Sequence, residues 1–297
     1  MKKVIHRRQF LGYSPSLAFC SGMIPSVLSA KHHKSERFTL GLSQYSLRAL
    51  LRDGSLDPLD FPQFTVDQFG INAIDLWEGG LPKDKLDDSK YLAKMRGKAD
   101  KAGTDLFLLM SGALDASKEK REASSSRISK SFDRAVKLGA PLVRIFLKAP
   151  GTVPSKGLEA SVEALKPLAD EAAKEKLTIA IEPGASELSQ KGAFLAKVAS
   201  MLNHPALKLM PDFGKLKDNV YEGTQAMLPH TITVSCKMHS FDQDGNQPDF
   251  DYSRLIKMIK HSKYKGILAI EWEGSALKPI PGVKASKKLI ERSLQSS

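Results

Sequence analysis

Eight short apolar runs recur along this chain at roughly the interval of one strand, one helix and their loops. They are Phe38-Thr-Leu-Gly-Leu-Ser43, Asn72-Ala-Ile-Asp-Leu-Trp77, Asp105-Leu-Phe-Leu-Leu-Met110, Pro141-Leu-Val-Arg-Ile-Phe146, Leu177-Thr-Ile-Ala-Ile-Glu182, Leu207-Lys-Leu-Met-Pro-Asp212, Thr233-Val-Ser-Cys-Lys-Met-His239 and Gly266-Ile-Leu-Ala-Ile-Glu271. Most are nearly continuous in apolar residues rather than alternating, the pattern of strands buried on both faces. Helical periodicity lies between several of them: over Ser124–Leu138, with Gly139 as a stop, over Leu158–Lys174, and over the shorter stretches Ala193–Leu202 and Tyr252–His261. Pro167 is expected to kink or split the second of these. Ser111–Ser126 reads as a long polar loop. Eight parallel strands alternating with helices predict a single (β/α)₈ TIM barrel. An open doubly wound sheet is the alternative, but no glycine-rich phosphate loop follows the first run.

The last four runs each close on a polar residue: Glu182, Asp212, His239 and Glu271, at separations of 30, 27 and 32 residues. In a barrel these side chains gather at the carboxyl ends of strands five to eight, where active sites of this architecture lie. Singly, a strand-end Asp or Glu is an ordinary helix cap or surface charge. Together, three carboxylates and an imidazole suit Mn²⁺, Mg²⁺, Co²⁺ or Zn²⁺ with positions left open. Lys237 lies two residues before His239 and so shares its face of the strand. It is a candidate for binding substrate oxygen. Arg144, Glu78 and Trp77, near the ends of strands four and two, are further substrate-binding candidates, with salt-bridge, capping and packing roles as the alternatives. Trp272 reads as packing.

The amino terminus has a different character. Arg7-Arg8-Gln-Phe10-Leu11 follows a basic start, and a modest apolar stretch runs to Ala30. This pattern predicts a twin-arginine export signal over residues 1–30, with the barrel over 31–297 and a periplasmic destination. The stretch is too short, and too broken by Pro15 and Pro25, to span a bilayer, so no stable membrane insertion is expected after processing. Cleavage would remove Cys20 and leave Cys236 as the remaining cysteine, so an internal disulfide is excluded. The net charge of +12, less the +4 of Lys2, Lys3, Arg7 and Arg8, leaves about +8 spread along helix faces. No dense basic block with interleaved aromatics marks a nucleic-acid surface. Self-association into a homo-oligomer is left open by the sequence.

Four segments resemble the xylose isomerase-like TIM-barrel superfamily, the sugar phosphate isomerases and epimerases: Ile179-Ala-Ile-Glu182, Met210-Pro-Asp-Phe-Gly214, Val234 through Asn246, and Tyr264 through Gly274. The resemblance covers roughly residues 38 to 290 and is specific in its last third. It implies that Glu182, Asp212, His239 and Glu271 hold a divalent metal, and that the substrate is a small carbohydrate. Two positions depart from the family pattern: Pro183 stands where an Asn is common, and Lys215 where many members have a His that touches substrate. The implied chemistry is proton abstraction beside a carbonyl, with Glu182 and Glu271 as the acid–base pair and an enediolate between them. Isomerisation and epimerisation both follow from it. The same machinery could eliminate the aglycone of a 3-keto-glycoside, and a sugar-binding barrel without catalysis is the non-enzymatic alternative. The superfamily also contains endonucleases acting at abasic sites, which use histidine ligands on early strands. This chain has no histidine between His33 and His204 to supply them.

Overall fold

The computed structural model describes residues 37–217 and 219–296. The export signal expected over residues 1–30 lies outside the described residues. Strands β1 (Phe38–Ser43), β2 (Ala73–Trp77), β3 (Asp105–Asp115), β4 (Leu142–Lys148), β5 (Thr178–Glu182), β6 (Leu207–Leu209), β7 (Val234–Met238) and β8 (Gly266–Trp272) are all parallel. They run in the order β6-β5-β4-β3-β2-β1-β8-β7. Two parallel bridges, Leu209 to Thr231 and Asp212 to Ser235, join β6 to β7 and complete a (β/α)₈ barrel. Around it run helices α1 (Arg48–Arg52), α2 (Phe61–Phe69), α3 (Ser89–Ala102), α4 (Arg121–Leu138), α5 (Pro154–Lys174), α6 (Gly192–Leu202), α7 (Val220–Met227), α8 (Tyr252–His261) and α9 (Pro279–Ser296). No helix among the described residues is long and apolar enough to cross a membrane.

Side chains two apart on a strand share a face, and this alternation divides the barrel interior into a dry floor and a polar mouth. Ala73, Phe107, Leu108, Leu142, Ala180, Ile267 and Ala269 pack together as the floor. A Cβ on Gly41 would come within 2.7 Å of Ile267 and 3.2 Å of Phe107, so this position of the floor has room for hydrogen alone. Two residues further along the same faces stand Asp75, Arg144, Glu182 and Glu271, with Lys237 paired to Glu271 across β7 and β8, each buried. The second and larger core lies between the strands and the helices, where Leu106, Val143, Ile179, Ile181, Val234 and Ile270 meet the apolar stripes of the helices.

Local chemistry sets the helix ends. Asp88, Asn219 and Asp251 accept backbone N–H bonds at the starts of α3, α7 and α8. Gly139 ends α4 in the left-handed conformation, with φ of 69°. Three expectations need correction. Residues 111–126 do not form a long loop. β3 continues to Asp115 and α4 begins at Arg121, because buried serines satisfy this polar stretch: Ser111 Oγ lies 2.7 Å from Ser131 Oγ, and Ser124 Oγ accepts the Asp115 N–H at 3.0 Å. Of the kink or split expected at Pro167, the split does not occur: α5 runs unbroken from Pro154 to Lys174. The ring faces solvent, while Leu165, Leu168, Ala169 and Ala172 hold the helix to the barrel. Finally, β6 stops at Leu209, short of Asp212. Pro211 has no N–H to give a ladder, although its carbonyl still accepts the Ser235 N–H at 2.9 Å.

Candidate active site

Glu182, Asp212 and Glu271 converge at the mouth of the barrel, with one oxygen of each within 4.8 Å of the others. All three are buried. Two cations stand among them. Register pairs Lys237 on β7 with Glu271 on β8, so their side chains lie side by side. Lys237 Nζ is 2.9 Å from Glu271 Oε1, 3.4 Å from Asp212 Oδ2 and 2.6 Å from Glu273 Oε1. Arg144 Nε is 2.8 Å from Glu182 Oε2, while its Nη1 donates to the Ser111 carbonyl at 2.8 Å. The Arg144–Glu182 contact is an ion pair without the alignment of a hydrogen bond, and both Glu182 oxygens lack a hydrogen-bond donor. Glu271 is further held by the Ser235 hydroxyl at 2.9 Å, and Asp212 Oδ1 accepts the Gly214 N–H at 2.9 Å. Tyr252 supports the cluster from behind by donating to the Lys237 carbonyl at 2.9 Å.

The electrostatics follow from this geometry. Burial raises the Glu271 carboxyl, but the Lys237 ammonium outweighs it and holds the group down at about 2. Glu182 is pushed well above the usual carboxylate range by burial; Arg144 opposes this, and Asp212 and Glu271 add to it. Burial would lower Lys237, yet its carboxylate neighbours, led by Asp212 and Glu271, hold it well above an ordinary lysine. The four carboxylates Glu182, Asp212, Glu271 and Glu273 face the two cations Lys237 and Arg144, so the fully ionised cluster carries a charge of −2. A divalent cation would balance that charge. The donor set fits one: the oxygens are hard ligands, and Glu182 Oε1 and Asp212 Oδ2 are buried without a hydrogen-bond partner.

His239 stands apart from this triad. Strand β7 ends at Met238, and the His239 side chain retains 40% exposure, with Nε2 3.7 Å from Glu273 Oε2. Lys237, rather than the imidazole, sits among the triad carboxylates. Of the other candidates, Glu78 and Trp77 are engaged outside the carboxylate cluster, and Trp272 packs as expected. Glu78 is paired with Arg134 of α4 at 2.7 Å. Trp77 packs edge-on to Tyr45, with ring centroids 4.8 Å apart, and lies under the Arg52 guanidinium. Trp272 is buried and stacked on Phe241.

Asp75 was not singled out by the sequence reading. It is fully buried on β2, accepts the Gln44 N–H at 3.0 Å, and leaves Oδ2 without a partner. Burial and the charge of Glu271 push its carboxyl from 3.8 up to about 8. The signal for it was a lone acidic residue within Ala-Ile-Asp-Leu-Trp, spaced to share a face with Ala73. Between those two values the folded protein keeps a proton that the unfolded chain has released. The stability this group contributes is therefore complete below 3.8, and is lost as the pH rises through 8. Asp75→Asn keeps the acceptor for Gln44 and removes the titration. Its melting temperature is expected to fall less than that of the parent between pH 4 and pH 8. Parallel melting curves across that range would contradict the assignment.

Comparison with known proteins agrees with the fold. A model of the xylose isomerase-like TIM barrel matches residues 65–295. The chain belongs to that family. Among solved structures it is similar in fold to the IOLI protein with a bound zinc atom (TM-score 0.71, 14% identity, covering 87% of this chain and 98% of the other). It is also similar to the 3-keto-D-glucoside 4-epimerase YcjR of E. coli (TM-score 0.63, 12% identity, 87% and 100% coverage). A probable 3-DHS dehydratase from Bacillus anthracis is a third (TM-score 0.67, 15% identity, 85% and 98% coverage). By sequence, 77 residues are 30% identical to the alpha subunit of a C-glycoside deglycosidase from Arthrobacter globiformis. That match spans 24% of this chain and 22% of the relative.

Proposed function

We propose that this protein is a divalent-metal-dependent isomerase or epimerase of a sugar or sugar derivative. The observation that carries the reading is the buried convergence of Glu182, Asp212 and Glu271 at the barrel mouth, one divalent charge short of neutrality. Glu182, Asp212 and Glu271 would hold the metal, with His239 as the further ligand that the family resemblance implies. Such a cation, when bound, would polarise a carbonyl and its neighbouring hydroxyl and so acidify the intervening C–H. Everything else falls to the protein. Glu271, ionised and fixed by Ser235 and Lys237, is the group prepared to take the proton. Glu182, raised in affinity for a proton and steered by Arg144, is the group prepared to return one. The Lys237 ammonium, held at the carboxylate cluster, would offset negative charge developing on a substrate oxygen. Return of the proton to the adjacent carbon is isomerisation; return to the same carbon from the other face is epimerisation. An exported enzyme would meet free sugars and glycosides rather than cytoplasmic sugar phosphates.

The partial match to a C-glycoside deglycosidase subunit favours a second reading with the same first step. In it, the proton beside the carbonyl of a 3-keto-glycoside is removed, and the electron pair of the C–H bond forms a C=C bond as the aglycone leaves. NMR in D₂O over a panel of ketoses, aldoses and 3-keto-glycosides, with Mn²⁺ present during incubation and chelated before recording, separates the two. Deuterium in an intact sugar supports isomerisation or epimerisation. Aglycone release supports elimination. Binding without either product would leave a carbohydrate-binding barrel and overturn the catalytic reading.

A further inference from the structure

A cleft of about 450 Å³ adjoins the carboxylate cluster, lined by Phe146, Gln190, Lys215, Lys217, Lys237 and Glu273, among others. It shares Lys237 and Glu273 with the cluster, so a molecule whose reacting carbons lie over Glu182 and Glu271 extends its far end into it. The charges in this cleft are not balanced. Glu273 is engaged by Lys237 at 2.6 Å, which occupies both groups. Lys215 and Lys217 form no ion pair among the described residues. Lys215 is half-buried, and its Nζ lies over the Phe146 ring, 5.1 Å from the centroid. That contact holds the ammonium beside a ring that lines the cleft, and exposed Lys217 stands on the same wall. The backbone keeps the space open. Gly184 has φ of 147°, and a Cβ there would meet Phe146 at 3.0 Å. The Lys217 N–H is fixed to the Gln190 carbonyl at 3.1 Å.

We propose that Lys215 and Lys217 form an anion subsite, so that the substrate carries a carboxylate or a phosphate at the end remote from the reacting carbons. This rests on the reading of the adjoining cluster as the reaction centre. The two sources of negative charge share their chemistry toward an ammonium group, and the absence of an arginine fork in the cleft demands no bidentate partner.

The test measures binding of D-glucuronate, D-glucose 6-phosphate and D-glucose to the Mg²⁺-loaded protein by calorimetry at low salt. At least one anion is expected to bind about tenfold more tightly than glucose, an advantage that shrinks as salt is raised. Glucuronate alone showing the advantage identifies a carboxylate, and glucose 6-phosphate alone a phosphate. Lys215→Met is expected to remove most of the advantage, and Lys215→Met with Lys217→Met all of it, with metal content and melting temperature unchanged. Equal binding of the three sugars overturns the proposal, as does no binding of either anion, or an anion preference that survives the double substitution. Metal content and deuterium exchange report the reaction centre separately. Their failure with the anion preference intact would remove the catalytic reading but not the subsite.

Discussion

Glu271→Gln is expected to lower turnover about 10²- to 10⁴-fold, the usual contribution of a positioned general base. The substitution keeps the shape and one oxygen of the side chain but gives up its proton affinity. The barrel should remain folded, because the Ser235 hydroxyl can still donate to the amide oxygen and Lys237 keeps Asp212 and Glu273 as partners at 3.4 and 2.6 Å. With Mn²⁺ at saturating concentration, to offset the loss of one charged ligand, the loss should fall on kcat, with KM little changed, since the cleft of Lys215 and Lys217 is untouched. Steady-state kinetics on the substrate found by the D₂O panel, with circular dichroism as the folding control, checks it. Wild-type turnover in this variant would remove Glu271 from the chemistry.

The second large effect concerns Lys237, buried with its Nζ against three carboxylates. Lys237→Met fills much the same volume but leaves Asp212, Glu271 and Glu182 crowded without their ammonium. Breaking a buried pair by removing one partner costs roughly 3–5 kcal/mol. In chelator-treated protein the melting temperature is expected to fall on the order of 10 °C. Added Mn²⁺ should recover much of this, because binding to the folded state alone stabilises it by mass action. A variant as stable as the parent without metal would show that Lys237 is not the cation that holds the cluster together. A loss that metal cannot reverse would mean that the carboxylates need the ammonium itself.

What was legible in the sequence, and what was not, divides along a physical line. Strands buried on both faces leave a run of apolar residues that stands out at any position, so all eight were found, β1 and β8 to within a residue of their ends. Residues closing those runs were visible for the same reason. Glu182 and Glu271 lie inside strands whose alternation aims them inward, and Asp212, although beyond the end of β6, is drawn in by its bridge to Ser235. His239 passed the same spacing criterion, but it sits one residue beyond β7, where alternation no longer dictates direction. Lys237 was read as a substrate-binding candidate and not as a cation buried among the carboxylates. Its place depends on register with Glu271 across β7 and β8, which spacing along one chain does not encode. Asp75 was hidden because one acidic residue in an apolar strand looks, in sequence, like an ordinary interruption. The helices were less distinct. α1, α2, α3, α7 and α9 were not singled out, and the polar start of α4 read as a loop until buried serine contacts were in view.

The claim on which the rest depends is that Glu182, Asp212 and Glu271 hold a divalent cation. It is tested most directly by elemental analysis of the protein and its Asp212→Ala variant, each stripped with chelator, incubated with Mn²⁺ and dialysed. About one equivalent of metal is expected in the parent and severe loss in the variant, with both showing the same far-ultraviolet circular dichroism. Equal metal content in the two, or none in either, would contradict the account.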